Sequence, residues 1–269
     1  MSTIQTQASY GIIGGTGVYQ PDLLEQPKQH SIATPYGDVS LHIGRLQGKT
    51  VAFMPRHGKG HAVPPHKVNY RANIWALRSI GVQQILATAA VGSLHAGLQP
   101  GSLVLVDQFI DFTKQRPVTF FEGEQGVVHI DMTDPYCGRL RGEVSKAADC
   151  LGIVLQASGT YVCTEGPRFE TPAEIRMFAG FGGDVVGMTS VPEVVLAKEQ
   201  EMCYATVAMV TNYCAGISKE ALTHREVMEV MQANVANVRE LFYQVIEDSS
   251  GERTCQCPHA LHELGSLAK

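Results

Sequence analysis

Hydrophobic positions in this chain follow two rhythms. Short runs rich in β-branched and aromatic residues, bounded by glycine and polar clusters, predict strands over residues 10–13, 39–46, 50–54, 84–88, 103–110, 154–163, 184–188 and 205–211. Between them the apolar spacing lengthens to that of helices. Val227, Met231, Val235, Val238, Phe242 and Val245 recur on one side of a long helix whose face is buried. Helix starts are marked by caps. Thr171-Pro172-Ala173-Glu174 combines a capping hydroxyl, a first-turn proline and a glutamate able to reach back, and Thr223-His224-Arg225-Glu226 repeats the pattern without the proline. Ser190-Val191-Pro192-Glu193 is a third start, and a fourth helix is expected after Pro64-Pro65 with Val68, Ala72, Trp75 and Ser79 on one side. Strands alternating with helices predict an α/β fold: a single domain over residues 1–248, with a central mixed sheet flanked by helices. From 249 to 269 the chain turns polar and is punctuated by glycine and proline, so this tail is expected to be loosely held.

Composition narrows the function classes. The 269 residues include 21 basic and 26 acidic side chains, a net charge of −5, and charged residues make up 17% against about 25% in an average soluble domain. That balance argues against a nucleic-acid binder. The apolar runs fall well short of the ~20 residues of a membrane helix. The first nine residues have neither the basic start nor the apolar core of a signal peptide, so a cytoplasmic location is expected. Of seven cysteines, Cys137, Cys150, Cys163, Cys203 and Cys214 are scattered through apolar surroundings without the spacing of a disulfide frame or a zinc site, and are expected to be thiols. Cys255 and Cys257 form a Cys-x-Cys pair that is either an exposed redox pair or incidental.

Candidate chemistry gathers where strands end. Gly14-Gly15-Thr16-Gly17 can turn sharply and offer N–H groups and a hydroxyl to an anion, although a tight turn without a ligand competes. It is not a dinucleotide fingerprint, because Gln20 stands at the third glycine, and it lacks a P-loop ending. Arg56-His57-Gly58-Lys59-Gly60-His61 presents a guanidinium fork beside a histidine, which suits an oxyanion; a solvated basic loop is the alternative. A zinc site from His57, His61 and His66 is set aside, since no cysteine or acidic ligand lies nearby, and no metal is expected. Thr88-Ala89-Ala90-Val91-Gly92-Ser93 brings small residues to the end of a buried strand, where a ligand can approach the backbone or a helix can simply pack. Glu165-Gly166-Pro167-Arg168-Phe169-Glu170 sets a ring beside a carboxylate, a pair able to hold a flat heterocycle. Gly187-Met188-Thr189-Ser190 places Thr189 at a helix start whose N–H groups would face an anion, and Thr211-Asn212-Tyr213-Cys214 ends a further strand.

In this order, these motifs together with Lys67-Val68-Asn69-Tyr70-Arg71-Ala72-Asn73-Ile74-Trp75-Ala76-Leu77, Asp107-Gln108-Phe109-Ile110-Asp111 and the run from Met188 to Glu199 resemble the purine nucleoside phosphorylase and methylthioadenosine phosphorylase family over about Tyr10 to Phe242. The overall similarity is to the methylthioadenosine branch. The resemblance implies a pentosyltransferase acting on small-molecule nucleosides and phosphate, a homotrimer or dimer of trimers, and no cofactor, inorganic phosphate being a substrate. It assigns phosphate binding to Thr16, Arg56, His57, the backbone of Ala89 and Ala90, and Thr189. Met188 takes the position beneath the ribose and Phe169 the position against the base. Ala89 departs from the hydroxyl or amide side chain that relatives often carry.

The base pocket points to a subclass. Adenine-preferring members carry Asp-x-Asp where this chain has Asn212-Tyr213-Cys214. Asn212 and Glu170 match the amide and carboxylate of 6-oxopurine phosphorylases, which serve O6 with N7 and the N1–H. His224 matches a histidine near the 5′-hydroxyl, whereas Val227 keeps methylthioinosine open. Methylthioadenosine remains a substrate if Cys214 and water serve the adenine edge. Asn212 and His57 are the expected catalytic residues, in a reaction yielding free base and ribose 1-phosphate in purine salvage. Two other classes compete: a nicotinamide dehydrogenase, against which the glycine spacing counts, and a non-catalytic nucleoside-binding protein.

Overall fold

The computed structural model describes residues 8–14, 24–123, 126–217, 224–262 and 265–267. Strands β1 (Tyr10–Gly14), β2 (Glu25–Ile32), β3 (Val39–Leu46) and β4 (Lys49–Pro55) precede helix α1 (Tyr70–Ser79). They are followed by β5 (Gln84–Ser93), β6 (Leu103–Leu105), β7 (Gln108–Phe112), β8 (Gly126–Val128) and α2 (Gly138–Leu151). Next come β9 (Leu155–Gln156), β10 (Thr160–Thr164), α3 (Pro172–Gly180), β11 (Val185–Gly187), α4 (Ser190–Glu199), β12 (Cys203–Tyr213), α5 (His224–Asp248) and β13 (Gly265–Leu267). Eleven strands form one mixed sheet with the path β2-β3-β4-β1-β5-β11-β10-β7, while β12 joins β5 to β6 and β6 continues to β9. The expected single α/β domain with a central mixed sheet is the fold observed.

Strand β5 organises the sheet. Along one edge it pairs in parallel with β12 over its whole length. Along the other it pairs with β1 from Gln84 to Ala87, and then with β11, antiparallel, at Gly92 and Ser93. Among the described residues no strand covers that second edge from Thr88 to Val91. The sheet therefore opens at its centre, beside the carboxyl ends of β1 and β4, which is where open α/β sheets take ligands.

Both faces are covered. Apolar residues of α1 and α4, including Ile74, Leu77, Val194 and Leu196, pack on one face around Ile13, Ile85 and Ala87. The other face packs Leu140 and Val144 of α2 and Val238, Leu241, Phe242 and Val245 of α5 against Tyr10, Leu86 and Val207. A third, smaller cluster joins Ile175 and Phe178 of α3 to Val162 and Val186. The segment after α5 makes definite contacts: Arg253 donates to the Glu201 carbonyl at 2.7 Å, and Cys255 and Cys257 pack against the second cluster.

Several elements differ from expectation for local reasons. The strand expected over 103–110 is two strands, because the Val106 N–H turns to Thr206 O (3.1 Å) and Asp107 accepts from Gly159 N–H (3.0 Å). The strand expected over 154–163 is likewise split into β9 and β10. Strand β2 is mostly exposed, so it carries no hydrophobic signal. Helix α2 lacks an ordinary cap residue; Cys137 Sγ accepts the Leu140 N–H at 3.5 Å in its place. After Pro64-Pro65 the chain first makes a short 3₁₀ turn, and α1 begins only past Asn69, whose side chain accepts from Ala72 N–H at 3.1 Å. The capping box of α3 is present as predicted, Thr171 and Glu174 bonding each other's backbone N–H groups.

Candidate active site

The gap in the sheet has a cationic wall. Strand β4 pairs with β1 through Gly14 and Pro55, so Arg56 emerges beside the open edge of β5. Its guanidinium is fixed on three sides: Nε and Nη2 donate to the two carboxylate oxygens of Glu193 at 2.8 and 2.7 Å, and Nη1 donates to Thr88 O at 2.7 Å. Arg56 is buried and Glu193 is fully buried. Tyr204 donates a third hydrogen bond to Glu193, at 2.7 Å. Burial alone would lower the Arg56 pKa, but the Glu193 carboxylate more than offsets it and keeps the cation well above its ordinary value. The remaining hydrogens on Nη1 and Nη2 suit an anion.

Strand parity decides which backbone groups of β5 face the gap. Val91 and Ser93 of the odd series accept from Thr211 and Cys214, at the end of β12 and just past it, and Thr88 and Leu94 of the even series bond to the opposite side. Alternation therefore turns the Ala90 main chain into the gap and the Ala89 main chain toward β12. The burial pattern agrees, since Ala90 is the one exposed residue of β5 and Ala89 is buried.

His57 closes the cradle. Its Nδ1 lies 2.9 Å from Val63 O, and because a carbonyl only accepts, Nδ1 carries the hydrogen. Burial, and then the neighbouring Arg56 charge, push the ring's pKa from 6.5 down to about 4. The neutral ring thus keeps Nε2 as an acceptor, suited to the O–H of a hydrogen phosphate while Arg56 holds its charged oxygens. The same shift has a stability consequence. Between about pH 6.5 and about pH 4 the unfolded chain takes up a proton that folded His57 refuses, so this contribution is complete above about 6.5 and declines as the pH falls. Thermal melts across that window should show a steeper loss for the natural protein than for His57→Asn, which retains a donor toward Val63 without the titration.

Thr189 lies buried at the start of α4, but the reason for its candidacy changes. Its N–H donates to the Tyr161 hydroxyl at 3.2 Å, the Val191 N–H goes to Cys163 Sγ, Pro192 has none, and Val191 is extended. The helix start therefore presents no fan of free N–H groups, and the Thr189 hydroxyl, which makes no cap bond, is the group left for an anion.

Two of the base-pocket candidates, Asn212 and Cys214, converge above Gly92. A Cβ there would lie 2.5 Å from Cys214 Sγ and 3.3 Å from Asn212 Nδ2, so only glycine lets both side chains settle on β5. Asn212 Nδ2 donates to Tyr213 O and its Oδ1 meets the Thr211 hydroxyl, both at 2.9 Å, leaving one amide hydrogen. Glu170 accepts from the Thr164 hydroxyl at 2.7 Å. Burial, with the Glu170 charge adding to it, pushes the Cys214 thiol up to about 12, so it is a neutral group. Met188 sits against Gly166, whose φ of +67° and lack of a Cβ, which would lie 2.6 Å from the Met188 sulfur, seat the loop carrying Phe169 and Glu170 beside it. Phe169 itself is 81% exposed.

Thr16 lies outside the described residues, as does the Thr223 cap. His224 and Val227 lie on the first turns of α5, where side chains are likewise outside the description. Two residues that sequence reasoning missed hold the site together. Glu193 anchors Arg56, and its signal was a glutamate inside an otherwise apolar helix start. Arg116, buried, donates to Val191 O, Thr164 O and Glu165 O at 2.6, 3.1 and 2.8 Å and so ties the loop after β10 to the start of α4. Its sequence neighbourhood carries no motif.

Fold and site together define an α/β protein with a buried, fixed guanidinium at a central gap in its sheet, and with an amide and a carboxylate near Cys214. Residues 9–247 match the model of the phosphorylase superfamily. A chain from Dictyoglomus turgidum named "Probable 6-oxopurine nucleoside phosphorylase" is 58% identical over 94% of this chain and 96% of its own. An S-methyl-5'-thioadenosine phosphorylase from Thermofilum pendens is 50% identical, covering 94% and 97%. The crystal structure of a methylthioadenosine phosphorylase from an antarctic soil metagenomic library superposes with a TM-score of 0.91 at 37% identity, over 97% of this chain and 93% of that one. The chain belongs to the phosphorylase superfamily, among its nucleoside phosphorylases. Among the described residues no helix is long and apolar enough to cross a membrane.

Proposed function

We propose that this protein is a purine nucleoside phosphorylase of the 6-oxopurine type, which reversibly converts inosine or guanosine and phosphate into the free base and ribose 1-phosphate in purine salvage. The observation that carries this reading is an amide and a carboxylate on either side of Cys214: Asn212, beside Cys214 over Gly92, has one amide hydrogen to donate, and Glu170, whose charge acts on the Cys214 thiol, can accept an N1–H. Adenine lacks that hydrogen and, once bound, would cover a carboxylate oxygen of Glu170 without a donor for it, a penalty of up to about 1–3 kcal/mol.

In the proposed reaction a phosphate oxygen, held by Arg56, His57, the Ala90 backbone, Thr189 and Thr16, attacks C1′. The bond from C1′ to the purine nitrogen breaks, and its electron pair leaves with the base. Asn212 donates to the base as negative charge develops there. Phosphate, lying close to the developing sugar cation, stabilises it in turn. Met188 sits beneath the ribose, Phe169 packs on the base, and His224 and Val227 line the 5′ end. No cofactor takes part in this scheme. The assembly is taken as a homotrimer or dimer of trimers, and exposed Phe169, Met177 on α3 and Phe181 just past it offer apolar surface for contact between copies.

A second reading, phosphorolysis of S-methyl-5′-thioinosine or S-methyl-5′-thioadenosine, is favoured by the 50% identity to the Thermofilum pendens protein. Initial rates on inosine, guanosine, methylthioinosine and methylthioadenosine at equal phosphate test both. The three 6-oxopurine nucleosides should be cleaved and methylthioadenosine should lag; a methylthioadenosine rate above the others would refute the base-pocket argument.

A further inference from the structure

The fold brings four cysteines from three distant parts of the chain to one point. Cys137 caps α2, Cys203 opens β12, and Cys255 and Cys257 come from the segment beyond α5. Their four sulfurs all lie within 4.8 Å of one another, the Cys203 and Cys255 sulfurs at 3.4 Å. Four thiolates about 2.3 Å from a shared tetrahedral ion stand roughly 3.8 Å apart, so the cluster has the dimensions of such a shell. Cys137 and Cys203 are buried, and the Cys255–Cys257 pair closes over them from the partly exposed side.

The surroundings also suit thiolates. The Leu140 N–H points at Cys137 Sγ from the first turn of a fourteen-residue helix, whose positive end favours the anion. Arg139, in the first turn of α2 and bonded to Glu143 and Gln84, brings a cation near Cys203. The backbone is fixed around the cluster, with the Cys137 N–H donating to Tyr204 O at 2.9 Å and Arg253 donating to Glu201 O at 2.7 Å.

We propose that Cys137, Cys203, Cys255 and Cys257 form a structural site for a thiophilic, tetrahedral divalent cation, zinc by preference, that clasps the chain's last segment to the base of the sheet. On binding, each remaining S–H bond is replaced by a bond from sulfur to the metal, the protons leave to solvent, and no oxidant is needed. The site takes no part in the reaction at the sheet gap. Cys203 and Asn212 are nine residue steps apart along extended β12, or ~30 Å.

The test uses the full chain, expressed with zinc supplied and purified under argon without chelator. Elemental analysis should find about one zinc per chain. Replacement by cobalt should give an intense thiolate-to-cobalt charge-transfer band and the visible bands of a tetrahedral ion. Cys257→Ser should lose the bound metal and melt at lower temperature with kcat unchanged, while Cys150→Ser, at an exposed cysteine outside the cluster, should keep the metal. The proposal is overturned if the protein as isolated is metal-free, whether its four cysteines then alkylate as thiols or are paired in disulfides. It is equally overturned if Cys257→Ser retains the metal.

Discussion

Glu193→Ala is expected to destabilise the fold by about 3–5 kcal/mol, because it leaves the buried Arg56 guanidinium without its counter-charge. The same change should weaken phosphate binding, since the Glu193 carboxylate aims the fork that the proposed reaction gives to the anion. Glu193→Gln separates the two effects. The amide keeps the volume and can still accept from Arg56 and Tyr204, but it replaces one acceptor with a donor that faces the guanidinium. Denaturant melts should show a smaller stability loss than for alanine, while the KM for phosphate rises and the KM for nucleoside stays near its original value. Glu193→Gln with unaltered stability and unaltered phosphate saturation would remove Glu193 from the site.

The second large effect concerns the base. Asn212→Ala should lower the turnover of inosine by more than tenfold, and by about 10²–10³ if its amide hydrogen is used only as charge builds on the leaving purine. Its bonds to Thr211 and Tyr213 are local, so the melting temperature should move little. Asn212→Asp tests specificity instead. An acceptor in place of the amide should shift the ratio of rates from inosine toward adenosine, because a site built to bond one heterocycle edge discriminates strongly against the other. Equal inosine rates in the natural protein and both variants would refute the assignment.

Much of this architecture was legible in the chain itself, and the pattern of what was not has physical causes. Strands β1, β4, β5 and β12 are buried apolar runs, so periodicity found them, and the motifs at their carboxyl ends lie around the central gap, the place where an open sheet can take a ligand. Strand β2 escaped because a polar exposed strand has no apolar period, and α2 because its cap is a cysteine. Within the site, Arg56, Asn212 and Glu170 were marked by chemistry and position. The difference between Ala89 and Ala90 was not, since it depends on which edge of β5 each backbone group faces. Arg116 and the Cys137, Cys203, Cys255 and Cys257 cluster were equally invisible, because their partners are far apart in sequence and only the tertiary fold joins them.

The most direct measurement of the central claim follows phosphorus by nuclear magnetic resonance while the protein acts on inosine in phosphate buffer. Ribose 1-phosphate should grow as inorganic phosphate falls, one for one with hypoxanthine, and stop when phosphate is withheld. Hypoxanthine released without a new phosphate ester, or bound inosine that is never cleaved, would contradict the account.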